Sequence, residues 1–146
     1  MSAEDLQGLY QQLILDHAKH PRGRVLLTHP TAQSHQVNPT CGDEVTLSVQ
    51  VHDEVIQAIG WEGHGCSISQ ASASLLATIV ESLSVHDAGA LLDEFRIAMR
   101  SRGQIELDED HFGDAIALNG VSRYVARVKC AMLPWVALEH ALADGE

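Results

Sequence analysis

Residues 44–61 read EVTLSVQVHDEVIQAIGW, and the spacing of the apolar residues in this stretch decides the fold. Apolar residues first alternate with polar ones, which is the period of a half-buried β-strand: Val45, Leu47, Val49 and Val51. Three polar residues, 52–54, then interrupt the pattern before a second β-rich run at 55–61. Because the connection is short, the sequence predicts an antiparallel hairpin.

The segment before the hairpin has a helical pattern. From Leu6 to His17, apolar residues recur at three- and four-residue steps, which predicts an amphipathic helix. Pro21 and Gly23 should end this helix, since neither residue is favoured in a helix interior. A third strand over residues 31–36 is a weaker prediction, because its alternation is poor.

The glycines that follow the second strand predict a loop, since Gly60, Gly63 and Gly65 come in close succession. Ser67 with Gln70 fits a capping box in front of an apolar helical stripe. We therefore expect a helix that begins at Ser67, with Cys66 immediately outside its N-terminus.

Further helices are predicted in the second half of the chain. Ser84 with Asp87 fits another cap, and a short helical piece should end near Leu118. The last helix is expected from about Cys130 to Ala143, with Pro134 in its first turn or at a kink. The sequence thus predicts an α+β fold, a small antiparallel sheet packed against several helices.

Length and charge restrict the class of protein. The 146 residues suit a single domain spanning 1–146. The net charge of −11 makes nucleic acid an unfavourable partner, because binding a phosphate backbone requires cationic groups. The apolar stretches are too short for a membrane span, and the MSAEDLQ start lacks the pattern of a signal peptide. Three cysteines cannot all pair within the chain, so we expect a cytoplasmic protein with reduced thiols.

One carboxylate and three thiols are candidates for a metal site. Cys41 and Asp43 occur in NPTCGD, Cys66 in GCSIS and Cys130 in RVKCAMLPW. Zn²⁺ favours four such donors, and because it is redox-inert it can hold reactive sulfur without oxidising it. Gly42 permits the sharp bend through which Cys41 and Asp43 can converge. No cysteine pair has the short spacing of a zinc finger, so spacing alone is a weak indication.

Local charge adds a fifth candidate residue. A helix N-terminus favours the thiolate form of a nearby cysteine, and both Cys66 and Cys130 are predicted to lie near helix starts. Three thiolates and a carboxylate leave a zinc site with a net negative charge, which a guanidinium would offset. Arg127 is the candidate for this guanidinium, and we therefore count it among the candidate catalytic residues. On electrostatics alone, either helix-end thiol would be a better nucleophile than Cys41.

Four longer segments carry a family resemblance: ILDHAKHPRGR (14–24), NPTCGDEV (38–45), GHGCSISQASAS (63–74) and GVSRYVARVKCAMLPWVAL (120–138). Together they resemble the SufU branch of the IscU-like family, which includes domains similar to the N-terminal part of NifU. Related cluster scaffolds have a histidine where this chain has Lys129, and they lack a segment like 84–118. Both departures favour the SufU branch.

The resemblance implies an IscU/SufU-like fold and a zinc-dependent sulfurtransferase. It implies that such a protein accepts persulfide sulfur from a SufS-type cysteine desulfurase and passes it to a SUF cluster scaffold. In this family the motif residues bind zinc, which assigns that role to Cys41, Asp43, Cys66 and Cys130. The same match assigns sulfur acceptance to Cys41.

Three alternatives stay open on the sequence. The same donors could assemble a [2Fe–2S] cluster, since thiolate ligation does not distinguish iron from zinc. A purely structural zinc domain would leave Cys41 unreactive. His64 could also replace one donor, because it stands two residues before Cys66.

Overall fold

The computed structural model describes residues 3–40 and 42–144. Over these residues, α1 precedes a three-stranded sheet, and the other helices follow it. The elements in chain order are α1 (Ala3–Lys19), β1 (Ala32–Asn38), β2 (Asp43–His52), β3 (Val55–His64), α2 (Ser67–Val80), α3 (Val85–Met99), α4 (Glu109–Phe112), the 3₁₀ segment Gly113–Arg123 and α5 (Val125–Asp144).

The sheet is antiparallel with the strand order β1-β2-β3, so the predicted hairpin is its β2-β3 half. Asp53 and Glu54 form the two-residue turn between the paired residues His52 and Val55. Their φ angles are 52° and 64°, the left-handed conformation that type I′ hairpin turns require at both positions. The weakly patterned third strand also forms, and it covers residues 32–38.

The buried side of the sheet packs against helices. Val45, Leu47 and Val49 are all buried, as their period-two spacing predicts, and they join the apolar faces of the helices in a continuous core. The rings of Phe95 and Trp135 stack with their centroids 4.0 Å apart. This arrangement confirms the predicted α+β class. In the described part of the chain, no helix has both the length and the apolarity needed to cross a bilayer.

The loop predicted after Trp61 is wrong, because β3 continues to His64. Two glycines allow close backbone contact within the sheet region. A Cβ at Gly60 would lie 2.0 Å from the carbonyl oxygen of Val25, and one at Gly63 would lie 2.2 Å from that of Glu44. These glycines therefore permit neighbouring backbone segments of the same chain to approach the strand closely.

The predicted start of α2 at Ser67, with Cys66 immediately outside the helix, is confirmed. The predicted capping box is wrong, because Cys66 is the N-cap residue and makes no side-chain capping hydrogen bond. The second predicted cap is confirmed, since Ser84 accepts a hydrogen bond of 3.0 Å from the backbone N–H of Asp87. The helical piece expected to end near Leu118 continues as 3₁₀ structure to Arg123.

The last helix begins five residues before the predicted start. α5 runs from Val125 and continues across Pro134, so Cys130 lies inside the helix and not at its N-terminus. Proline lacks the N–H that continues a helical ladder. Beside it, the buried hydroxyl of Ser72 donates to the carbonyl of Ala131 at 2.6 Å and accepts from Trp135 Nε1 at 3.0 Å. Ser72 thereby fixes α5 to α2 next to the proline.

A second buried hydroxyl joins α1 to α2. Ser74 Oγ accepts a hydrogen bond of 2.8 Å from the backbone N–H of Arg22 and lies 2.7 Å from His17 Nδ1. A hydroxyl has one proton, so Ser74 can donate to an unprotonated His17 Nδ1 while it accepts from Arg22. Burial, together with the nearby positive charge of Arg22, lowers the pKa of His17 below its ordinary value of 6.5.

Replacing Ser72 with alanine should destabilise the fold. The substitution leaves the Ala131 carbonyl and the Trp135 indole N–H without this partner in a buried site, which costs about 1–3 kcal/mol of unfolding free energy. Urea denaturation followed by circular dichroism measures the change. Thr78→Ala is the matched control, because its exposed hydroxyl bonds only within α2. Equal midpoints for the two variants would contradict the assigned role.

Acidification should destabilise the fold through His17. A histidine whose pKa is lowered on folding contributes stability above its unfolded pKa, near 6.5, and this contribution is lost as the pH falls through the lower folded value. His17→Gln should therefore reduce the loss of unfolding free energy between neutral and acidic pH. Denaturation curves across that range test this, with the exposed His52→Gln variant as control. A steeper pH dependence in His17→Gln would contradict it.

Candidate metal centre

Asp43 occupies the first position of β2 and is fully buried. Its Oδ1 accepts a hydrogen bond of 2.8 Å from the backbone N–H of Cys66, which is one of the N-terminal amide groups that a helix cannot pair internally. The positive end of the α2 dipole also favours a carboxylate there. Asp43 thus joins the beginning of the sheet strand to the beginning of α2.

Cys66 brings a thiol to the same carboxylate. Its Sγ lies 3.6 Å from Asp43 Oδ2, and the residue is half-buried. The backbone of Cys66 is extended, with φ −70° and ψ 167°, as expected for an N-cap residue. Ser69 completes this turn, since its hydroxyl donates to the Cys66 carbonyl at 3.1 Å.

Gly65 makes the close approach possible. A Cβ at this position would lie 2.2 Å from Asp43 Oδ1 and 2.8 Å from Ser69 Oγ. Its φ of 153° is also one that other residues rarely adopt. Sequence reasoning interpreted Gly65 only as a source of loop flexibility, although a glycine directly before a candidate ligand is a signal of close packing.

Cys130 supplies the third donor from α5. It is buried, with 1% of its surface exposed, and its Sγ, the Cys66 Sγ and a carboxylate oxygen of Asp43 all lie within 4.8 Å of one another. Tetrahedral zinc with ordinary Zn–S and Zn–O bonds needs donor separations of roughly 3.4–3.8 Å. The 3.6 Å between Cys66 Sγ and Asp43 Oδ2 falls in that range, so this pair of donors has a spacing that fits zinc.

The fourth predicted donor, Cys41, lies outside the described residues. Its neighbours form a tight connection between β1 and β2, in which the N–H of Gly42 donates to the carbonyl of Asn38 at 2.8 Å. Gly42 has a φ of 76°, as the prediction of a sharp bend requires. Asn38 pairs directly with Asp43 in the sheet, so the connection and Asp43 share one end of it.

The other candidate residues lie around this cluster. Arg127 is exposed on α5, three residues before Cys130, which places it on the same side of the helix. No hydrogen bond or ion pair engages its guanidinium within the described residues. His64 is exposed, and its Nε2 lies 3.5 Å from Glu44 Oε2. The imidazole of His64 therefore contacts the carboxylate of Glu44.

Comparison with known proteins places this arrangement in a family. The model of the NifU-like N terminal domain matches residues 9–131. The zinc-dependent sulfurtransferase SufU of Bacillus subtilis (strain 168) is 37% identical, and the match covers 97% of this chain and 95% of the relative. The iron–sulfur cluster assembly scaffold protein IscU of Streptococcus pyogenes serotype M1 is 35% identical, with 97% and 87% of the two chains covered.

A solved structure supports the same grouping. A protein of Fervidobacterium islandicum AW-1, described as a candidate iron–sulfur cluster assembly scaffold protein for the SUF system, superposes with a TM-score of 0.83 at 30% identity. The superposition covers 97% of this chain and 99% of that one. The IscU/SufU-like fold expected from the resemblance is thus confirmed. On both the sequence match and the shared fold, the chain belongs to the NifU-like N-terminal domain family.

Proposed function

We propose that this protein is a zinc-dependent sulfurtransferase of iron–sulfur cluster assembly. The observation that carries the proposal is the convergence of Asp43, Cys66 and Cys130 within 4.8 Å. Its chemistry matches that of the zinc-dependent sulfurtransferase of Bacillus subtilis, to which this chain is similar over nearly its whole length. The donors come from three separate elements, so a bound ion would be held by the tertiary fold.

The ligand set of this proposal is Cys41, Asp43, Cys66 and Cys130. Three thiolates and one carboxylate are a donor combination that zinc accepts in four-coordinate sites. When bound, the ion keeps the thiols deprotonated without changing their oxidation state. The buried carboxylate of Asp43 and the helix position of Cys130 hold two of these donors in fixed places.

Cys41 is the sulfur acceptor in this proposal. Its thiolate attacks the terminal sulfur of a donor persulfide, and a new S–S bond to Cys41 forms as the S–S bond within the donor breaks. The donor cysteine leaves as a thiolate, so no external oxidant or reductant is required. Arg127, exposed one helical turn from Cys130, would stabilise the anionic sulfur through its guanidinium.

The chemistry also defines the partners. A protein that accepts persulfide sulfur needs a donor that forms persulfides, and we propose a SufS-type cysteine desulfurase. The sulfur would then pass to a SUF cluster scaffold. We place this exchange in the cytoplasm, where thiols are kept reduced.

A second function is favoured by the scaffold relatives. Thiolate and carboxylate donors could hold a [2Fe–2S] cluster, and the Streptococcus pyogenes relative is named a cluster scaffold. Reconstitution with iron and sulfide under anaerobic conditions separates the two functions. A scaffold should develop visible absorption and transfer its cluster, whereas a sulfurtransferase should stimulate the desulfurase in its zinc form.

The natively purified protein should contain about one zinc per chain, and chelation should lower its unfolding free energy by several kcal/mol, because structural zinc contributes on the order of 10 kcal/mol to folding. Asp43→Ala should weaken zinc binding. Elemental analysis and thermal unfolding measure both effects. Asp53→Ala is the control, since this carboxylate is exposed in the β2-β3 turn. Full zinc retention by Asp43→Ala would contradict the ligand assignment.

Sulfur acceptance should be lost in Cys41→Ala. The protein is incubated with a cysteine desulfurase and cysteine, alkylated, and mapped by mass spectrometry, which locates the persulfide on an individual residue. The wild type should carry it on Cys41. Cys66→Ser serves for comparison, because it also removes a zinc donor but leaves the acceptor in place. Undiminished persulfide formation in Cys41→Ala, or a persulfide on Cys130, would contradict the assignment.

A further inference from the structure

The positive charges of this acidic protein are concentrated in one region. The chain has nine lysines and arginines, and only Lys19, Arg22 and Arg24 lie outside residues 96–129. The other six are Arg96, Arg100, Arg102, Arg123, Arg127 and Lys129. They belong to α3, the turn after it, the end of the 3₁₀ segment and the first turns of α5.

Four of these cations line a groove of about 460 Å³ between α3 and α5, which we call the basic groove: Arg96, Arg100, Arg102 and Lys129. Arg123 lies beside one end, because its side chain crosses Gly103 so closely that a Cβ there would be 2.8 Å from Arg123 Cγ. These basic residues therefore cluster around one groove.

Among the described residues, three of the four cations that line the groove have no ion-pair partner. Arg96 forms a bidentate contact with Glu139, with both N–O distances at 2.8 Å. For Arg100, Arg102 and Lys129, no carboxylate of the described residues is in ion-pair contact. Acidic residues outnumber basic ones by 20 to 9, so intramolecular partners are abundant elsewhere in the chain. The basic groove thus retains a positive potential on a negatively charged protein.

The floor of the basic groove is apolar. One side of α5 contributes side chains at helical spacing: Val125, Val128, Met132 and Val136. Val125 is 62% exposed, and Met99 of α3 closes the floor from the other side. Methionine and valine side chains bind apolar groups of varied shape, whereas a free inorganic anion gains nothing from them.

The basic groove is next to the metal centre through α5. Lys129 lines the groove, and the following residue, Cys130, points its Sγ to Asp43 and Cys66. The groove-lining residues share one side of α5, whereas Cys130 projects from another side into the protein interior. The groove and the metal centre are therefore connected only by the helix that they share.

We propose that the basic groove binds an acidic segment of the sulfur-donor protein, in which apolar side chains alternate with carboxylates. This inference rests on the proposed function only for the identity of that partner. The apolar positions from Val125 to Val136 extend over about 16 Å of helix, which suits a short segment of the partner. A second copy of this chain is disfavoured, because two molecules of net charge −11 repel each other.

Direct binding measurements test the proposal. The zinc-loaded protein is titrated calorimetrically with the SufS-type cysteine desulfurase of the same organism, without cysteine, so that no sulfur moves. Arg100→Glu and Arg102→Glu should each raise Kd roughly tenfold, since reversing a charge against an acidic partner replaces attraction with repulsion. Lys19→Glu is the matched control, because it makes the same charge change on α1, outside the groove. Higher salt should weaken the wild type more than either groove variant.

The apolar floor is tested in the same way. Val125→Asp should weaken binding by a similar factor, while Ile97→Asp, at an exposed apolar residue of α3 outside the groove, should not. Zinc content and thermal unfolding confirm that each variant is folded. If the groove variants and the controls bind equally, or if the desulfurase does not bind the wild type, the proposal is wrong. Displacement by inorganic phosphate alone, or self-association of this chain through the groove, would also overturn it.

Different experimental results would reject the sulfurtransferase activity and the docking surface. Binding that depends on the groove without any sulfur transfer would reject the proposed sulfurtransferase activity and retain the docking surface. Sulfur transfer to Cys41 with binding that is insensitive to Arg100, Arg102 and Val125 would retain the activity and reject the docking surface.

Discussion

The contact between the carboxylate of Asp43 and the backbone N–H of Cys66 determines where the other donors can lie. It joins β2 to the start of α2 through a partly buried hydrogen bond of 2.8 Å, and the absence of a Cβ at Gly65 allows this approach. A buried carboxylate beside two thiols is unfavourable when those thiols ionise, because like charges then converge within 4.8 Å. A divalent cation at their centre reverses the sign of these interactions. A bound divalent ion would therefore stabilise the ionised form of this site.

Two of the described donors are held by helices. Cys66 caps α2, and Cys130 lies inside α5, where Ser72 and the buried Trp135 fix the helix to its neighbours. Position 41 belongs to the four-residue connection between β1 and β2. The proposal takes Cys41 as the acceptor, a choice that helix-end electrostatics alone would not make.

Sequence patterns predicted the elements whose signals are local. The alternation from Val45 to Val51 gave β2 its buried face, and the Ser84 cap defined the start of α3. The α5 start was not predictable in this way, because Pro134 is a strong local signal against a helix interior. Ser72, which bonds Ala131 and Trp135 on either side of this proline, is 62 residues away from it in the sequence. The roles of Gly60 and Gly65 were missed for the same reason, since their close contacts are with the loop at Val25 and the carboxylate of Asp43, which are distant in the sequence.

Two features of α5 connect the metal centre to the surface: the directions of consecutive side chains and the position of the helix start. Consecutive residues of a helix point in directions about 100° apart, so Lys129 and Cys130 can serve the basic groove and the metal centre at once. The helix start at Val125 matters for this arrangement, because it adds a turn that carries Val125, Arg127 and Val128 before the cysteine. A helix that began at Cys130 would have placed the thiol at the positive end of the helix dipole. It would have lacked the preceding turn that lines the groove. The observed helix instead places Cys130 in the protein interior and leaves the cationic side chains at the surface, where a partner can reach them.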